Sequence, residues 1–172
     1  VTATVSDING VGFSVSKSAV SVSESGSTET FTVVLDSQPS ANVVIGVVSG
    51  DVGEATVSAS SLTFTNSNWA TAQTVTVTGV VDNSVDGVQT SALTLSVTAS
   101  GTRDQTFDSV ANKTVTATVS DINGVGFSVS KSAVSVSESG STETFTVVLD
   151  SQPSANVVIG VVSGDVGEAT VS

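Results

Sequence analysis

The chain has 172 residues, sixteen acidic and four basic, for a net charge of −12, and it has no Cys, His, Met or Tyr. That balance excludes nucleic acid as a partner, because phosphate binding needs Lys and Arg, and the missing His and Cys exclude the usual nucleophilic triads. No apolar run approaches the ~18 residues of a membrane helix; the longest, VVIGVV at 43–48, is strand-sized.

In chain order, residues 1–9 (VTATVSDIN) alternate like a strand and return unchanged as 115–123. The match extends much further: residues 1–58 recur without a mismatch as 115–172, a period of 114. Solenoid repeats run to roughly 50 residues, whereas ~100–150 is the size of a small domain with its own core. The expected organisation is therefore beads in tandem. Residues 1–9 are the last strand of a preceding repeat, 10–123 a complete repeat, and 124–172 the first half of the next. Both ends fall in mid-pattern, so the chain reads as a window from a longer protein.

Within one repeat, FSVS at 13–16 and AVSVS at 19–23 read as a first strand broken near Lys17 and Ser18. TETFTVVL at 28–35 places Phe31, Val33 and Leu35 on one face. Pro39 breaks the turn at 36–40. Residues 41–49 lose their alternation, as a buried strand does, and 49–53 turn the chain. Residues 55–58 and 61–65 follow, with Leu62 and Phe64 inward. After Trp69, QTVTVTG at 73–79 presents Val75 and Val77, and VDNSVDG at 81–87 is an acidic loop. Residues 91–99 carry Leu93, Leu95 and Val97. A polar connection at 100–112 holds Asp104, Phe107 and Asp108, and 114–120 closes the unit with Val115, Ala117 and Val119. Seven or eight Val- and Thr-rich strands at short spacing, with no helical stretch between them, predict an all-β, immunoglobulin-like antiparallel sandwich.

Three stretches carry a resemblance: SESGSTETFTVVLDSQPSANVVI at 23–45, SASSLTFTNSNWATAQTVTVTGVVDNSVDG at 58–87, and VTATVSDIN at 115–123. Together they resemble repeats of large bacterial surface proteins and are similar to the Calx-beta family of calcium-binding sandwiches. The resemblance implies an extracellular or cell-surface setting and tandem arrays acting as stalks or adhesin shafts. It also implies a calcium site gathered from several loops. The matching acids are Glu24, Asp51 with Glu54 beside it, Asp82, Asp86 and Asp121, with Glu138 and Asp165 as the repeat equivalents of Glu24 and Asp51. Three positions depart from the family pattern. Val81 stands where related members carry a second Asp, Val88 replaces an Asp after the Asp-Gly, and Asp121-Ile122-Asn123 replaces a more acidic tripeptide. Each departure removes a hard oxygen ligand.

No enzyme is expected. Paired carboxylates alone do not make a glycosidase without a cleft and aromatic platforms, and nothing singles out a Ser for pairing with Lys17 or Lys113. Trp69 and Phe107 read as core residues, the triplet Asn112-Lys113-Thr114 is a glycosylation sequon common by chance, and Gly10, Gly12, Gly124 and Gly126 read as linker glycines. The expected role is a structural repeat module giving length and stiffness to an extracellular filament, with calcium stiffening the joint. Its partners are neighbouring repeats, or other copies that pair with the open edges of 124–172. The alternative is a carbohydrate- or protein-binding surface module, whose aromatic candidates are Trp69, Phe13 and Phe107.

Overall fold

A computed structural model describes residues 10–172; the strand expected at 1–9 lies outside the described residues. The chain divides into two compact units. The first runs through Asp82 and resumes over Asp86–Ile122, and the second comprises Asn83–Val85 and Asn123–Ser172.

The first unit is a two-sheet sandwich. Its strands among the described residues are β1 (Phe13–Val15), β2 (Ala19–Ser23), β3 (Thr28–Leu35), β4 (Val43–Ser49), β5 (Ala55–Val57), β6 (Ser61–Phe64), β7 (Gln73–Gly79), β8 (Gln89–Val97) and β9 (Lys113–Ser120). One sheet has the order β1-β3-β7-β5, the other β2-β9-β8-β4-β6. Alternation decides which side chains face inward. Phe31, Val33 and Leu35 of β3, Val75 and Val77 of β7, Leu93 and Leu95 of β8, and Val115, Ala117 and Val119 of β9 fill the space between the sheets. β4 lies between β6 and β8, and its Val43, Ile45 and Val47 are buried. Its loss of alternation in sequence reflects that central place.

Among these strands every pairing is antiparallel except one. β2 runs parallel to β9, with Ala19 opposite Thr116 and Ser23 opposite Ser120. The break at Lys17 and Ser18 explains it. β1 pairs with β3 in the first sheet, from Phe13 opposite Leu35 to Val15 opposite Val33. The chain then crosses to the second sheet, still running in the same direction, and meets β9 there.

This crossing sets where the chain enters and leaves. It enters beside Leu35, at one end of β3, and leaves at Ser120, beside Ser23 and the turn that precedes Thr28. Seven steps of β3 at ~3.4 Å each separate those levels by about 24 Å. The bead therefore has a leading end and a trailing end.

The connection expected at 100–112 carries a short 3-10 helix, Gln105–Phe107, capped by Asp104. Phe107 is buried and plugs the sandwich, as the sequence suggests. The second unit retains one ladder among the described residues, β10 (Phe127–Val129) antiparallel to β11 (Val147–Leu149). No helix among the described residues is long and apolar enough to cross a membrane.

Candidate metal centre

The acids of interest gather at the trailing end of the first unit. Glu24 follows β2 directly, and its backbone N–H donates to the Ser120 carbonyl at 3.1 Å. The turn after Glu24 can lie this close because β7 ends in glycine. A Cβ on Gly79 would collide with the Ser23 carbonyl oxygen. Gly79 N–H also donates to Ser27 O at 3.0 Å, and Val80 N–H to Glu54 O at 2.8 Å. These bonds bring three loops together: the turn after β2, the turn before β5, and the acidic loop after β7.

The acidic loop is held from the other side by Asp121. One carboxylate oxygen, Oδ2, accepts from the backbone N–H groups of Asp86 at 3.1 Å and Gly87 at 2.9 Å. Gly87 has φ +73°, a left-handed conformation that glycine adopts without strain. Asp86 is thereby turned toward Glu24 and Asp82. One ligand oxygen from each of Glu24, Asp82 and Asp86 lies within 4.8 Å of the others. Two oxygens on one calcium ion at 2.3–2.6 Å can be no more than about 5 Å apart, so the three fit a single ion. Without His or Cys nearby, the donor set suits a hard cation.

Glu24 distinguishes this cluster from an ordinary acidic surface. Its side chain is fully buried, and neither carboxylate oxygen has a hydrogen-bond partner among the described residues. Burial raises its pKa above the usual carboxylate value. The peptide dipole at Ile122 opposes that rise without reaching hydrogen-bond geometry. The charges of Asp121, Asp82 and Asp86 add to it. Glu54 is half-buried, its Oε2 is likewise unpartnered, and burial followed by Asp86, Asp51, Asp82 and Glu24 raises its pKa. The charged groups acting on either residue are all acids.

Not every acid named from sequence plays the same part. Glu24, Asp82 and Asp86 converge, and Asp121 acts as a clasp on the loop that carries Asp86. Asp51 is exposed, and its Oδ1 accepts from the N–H of Gly53 at 2.9 Å, closing its own turn. Glu54, named only as its companion, presents the buried oxygen instead. The Asp-Val-Gly spacing at 51–53 is the sequence signal for that turn. In the second unit Glu138 and Asp165 are exposed, and Asp165 closes the same turn onto Gly167 at 2.9 Å. Residues 124–172 contain no counterparts of Asp82, Asp86 or Asp121.

The aromatic candidates for a binding surface are core residues. Phe13 and Phe107 are buried, and Trp69 packs against the core. The Trp69 carbonyl also accepts from Leu35 N–H at 3.2 Å.

No protein-family model matches the chain, and no curated protein sequence matches it. Solved structures do. The seventh PapD-like domain of human CEP192 is 8% identical with a TM-score of 0.50, over 65% of this chain and 86% of that one. SSP-19, a protein of Caenorhabditis elegans like the MSP-domain family, is 18% identical with a TM-score of 0.41, over 62% and 96%. The Escherichia coli chaperone DraB is 8% identical with a TM-score of 0.46 over 66% of this chain, which spans only 57% of DraB. At these identities the likeness is one of fold alone, an immunoglobulin-like β-sandwich.

Proposed function

We propose that this chain is a non-catalytic module of a bacterial extracellular stalk, adhesin shaft or filament. In this reading, sandwich beads repeat in tandem and each complete bead binds calcium at its trailing end. The observation that carries the metal reading is Glu24, a carboxylate sealed from water with neither oxygen bonded, aimed at Asp82 and Asp86. A buried carboxylate without a partner is costly, and a cation is the simplest compensation. The tandem reading rests on the mismatch-free recurrence of residues 1–58 and on the bead's separate leading and trailing ends.

The mechanical consequence follows from the position of the site. Asp121 is the residue after β9, where the chain leaves the bead. An ion held by Glu24, Asp82 and Asp86 would tie the turn after β2 to the acidic loop, which Asp121 already grips. That bracing would limit bending just before the linker.

Calcium titration of the full chain by calorimetry, with thermal unfolding in calcium and in chelator, tests this. The expected result is saturable binding at one site and a higher melting temperature with calcium. Glu24→Gln should abolish both effects. In chelator it should melt at the same temperature as the parent or above it, because it removes an uncompensated charge. A parent chain that melts identically in calcium and chelator would overturn the metal reading.

A further inference from the structure

The segment after β9 holds a covalently labile pair. β9 ends at Ser120, and Asn123-Gly124 follows in irregular backbone. Of the Asn residues in the chain, only Asn9 and Asn123 precede a Gly; the others precede Val, Ser, Trp or Lys. Asn9 lies outside the described residues. A following Gly matters because the next residue's amide nitrogen can attack the Asn carboxamide. A Cβ on that residue crowds the approach and narrows its backbone angles.

The surroundings of Gly124 leave that approach open. Gly124 is exposed, a Cβ added there would meet nothing within 4 Å, and its φ is not positive. Its N–H makes no hydrogen bond among the described residues. Asp86-Gly87 is the contrasting case, since an Asp before Gly cyclises by the same attack. There the Gly87 N–H donates to Asp121 Oδ2 at 2.9 Å, which holds the attacking nitrogen. Asn123 is half-buried, and its Nδ2 donates to the Ser84 carbonyl at 2.8 Å. That bond engages the leaving nitrogen and not the carbon under attack. Ser84 sits in the acidic loop between Asp82 and Asp86.

We infer that Asn123-Gly124 is a self-modification site that turns an amide clasp on the acidic loop into a carboxylate. The Gly124 nitrogen bonds to Asn123 Cγ, the Cγ–Nδ2 bond breaks, and ammonia leaves with the proton of the Gly124 amide. Water then opens the cyclic imide. Cleavage at Cγ gives aspartate, and cleavage at the main-chain carbonyl gives isoaspartate, whose backbone runs through the former side chain. The net change is hydrolysis of one amide, with no oxidant or cofactor. In both products the donor to the Ser84 carbonyl is gone, and a negative charge is added to a segment that already carries Asp121. Loss of the bond and repulsion by Asp82 and Asp86 on either side of Ser84 both release the loop. The inference goes beyond the proposed function and does not depend on calcium.

The test ages the full chain in chelator at mildly alkaline pH, folded and in urea, and maps tryptic peptides by mass spectrometry. Cleavage after Lys113 and Lys131 releases residues 114–131, in which Asn123 is the only side-chain amide. The expected result is conversion of Asn123 in the folded chain at a rate comparable to that in urea, while Asp86 isomerises only in urea. Gly124→Ala, which the open space accommodates, should slow the conversion about tenfold or more. Hydrogen exchange over residues 82–87 should be faster in the aged chain and in Asn123→Asp than in the fresh chain. Aged Gly124→Ala should match its own fresh sample. An Asn123 that survives in the folded chain while it converts in urea overturns the site. Conversion that leaves exchange over 82–87 unchanged overturns the release of the loop.

Discussion

Two buried carboxylates in the first unit are treated in opposite ways. Asp104, near the leading end, accepts from Thr106 Oγ1 at 2.5 Å, Ser40 N at 2.7 Å, Ser40 Oγ at 2.9 Å and Thr106 N at 3.1 Å. Those bonds, the Thr106 hydroxyl foremost, hold its pKa down at about 2 despite burial. Glu24 has no such bonds, and its pKa is pushed up. The depressed Asp104 value contributes stability that is fully present above the unfolded value of 3.8 and is lost as pH falls through about 2. The amount is about 2 kcal/mol, since a tenfold change in proton affinity is worth ~1.4 kcal/mol. Asp104→Asn should lower the unfolding free energy from urea titration at pH 7 by roughly that amount and flatten the acid limb of stability against pH between about 4 and 2. An unchanged acid limb would contradict this assignment. In sequence the two residues look alike, as single acids in polar segments. The spacing Asp104-Gln105-Thr106 hints at a cap, but nothing local marks Ser40 as a partner.

At the level of elements, local pattern anticipates most strands and their inward faces. Alternation is a property of neighbouring residues, so 28–35, 73–79 and 114–120 can be read directly. The parallel pairing of β2 with β9 cannot be, because it joins opposite ends of the bead in sequence. Its consequence is concentrated at Gly79, whose backbone lies against the Ser23 carbonyl. Gly79→Ala should destabilise the first unit by roughly 1–3 kcal/mol in urea unfolding, because the Cβ must displace backbone rather than a flexible side chain. It should also weaken calcium binding by separating Glu24 from Asp82. Wild-type stability and calcium affinity in this variant would show that the turn after β2 tolerates the shift.

For the molecule as a whole, the proposal that calcium braces the trailing end has a mechanical readout. In an engineered chain of three complete beads, small-angle scattering should give a longer maximum dimension with calcium than with chelator. Asp82→Asn in every bead should reproduce the chelator value. An unchanged dimension would leave calcium as a stabiliser of single beads and remove it from the mechanics of the array.

The sequence alone determined the recurrence of residues 1–58, the all-β class and the inward faces, because these depend on identity, composition and short-range alternation, while the acids expected at a calcium site came from the family resemblance. Only the tertiary structure decided which acids converge. Glu24 lies far along the chain from Asp82 and Asp86, which share one loop, and their approach is set by the crossing of β1 into β2, the bare backbone at Gly79 and the grip of Asp121 on the acidic loop.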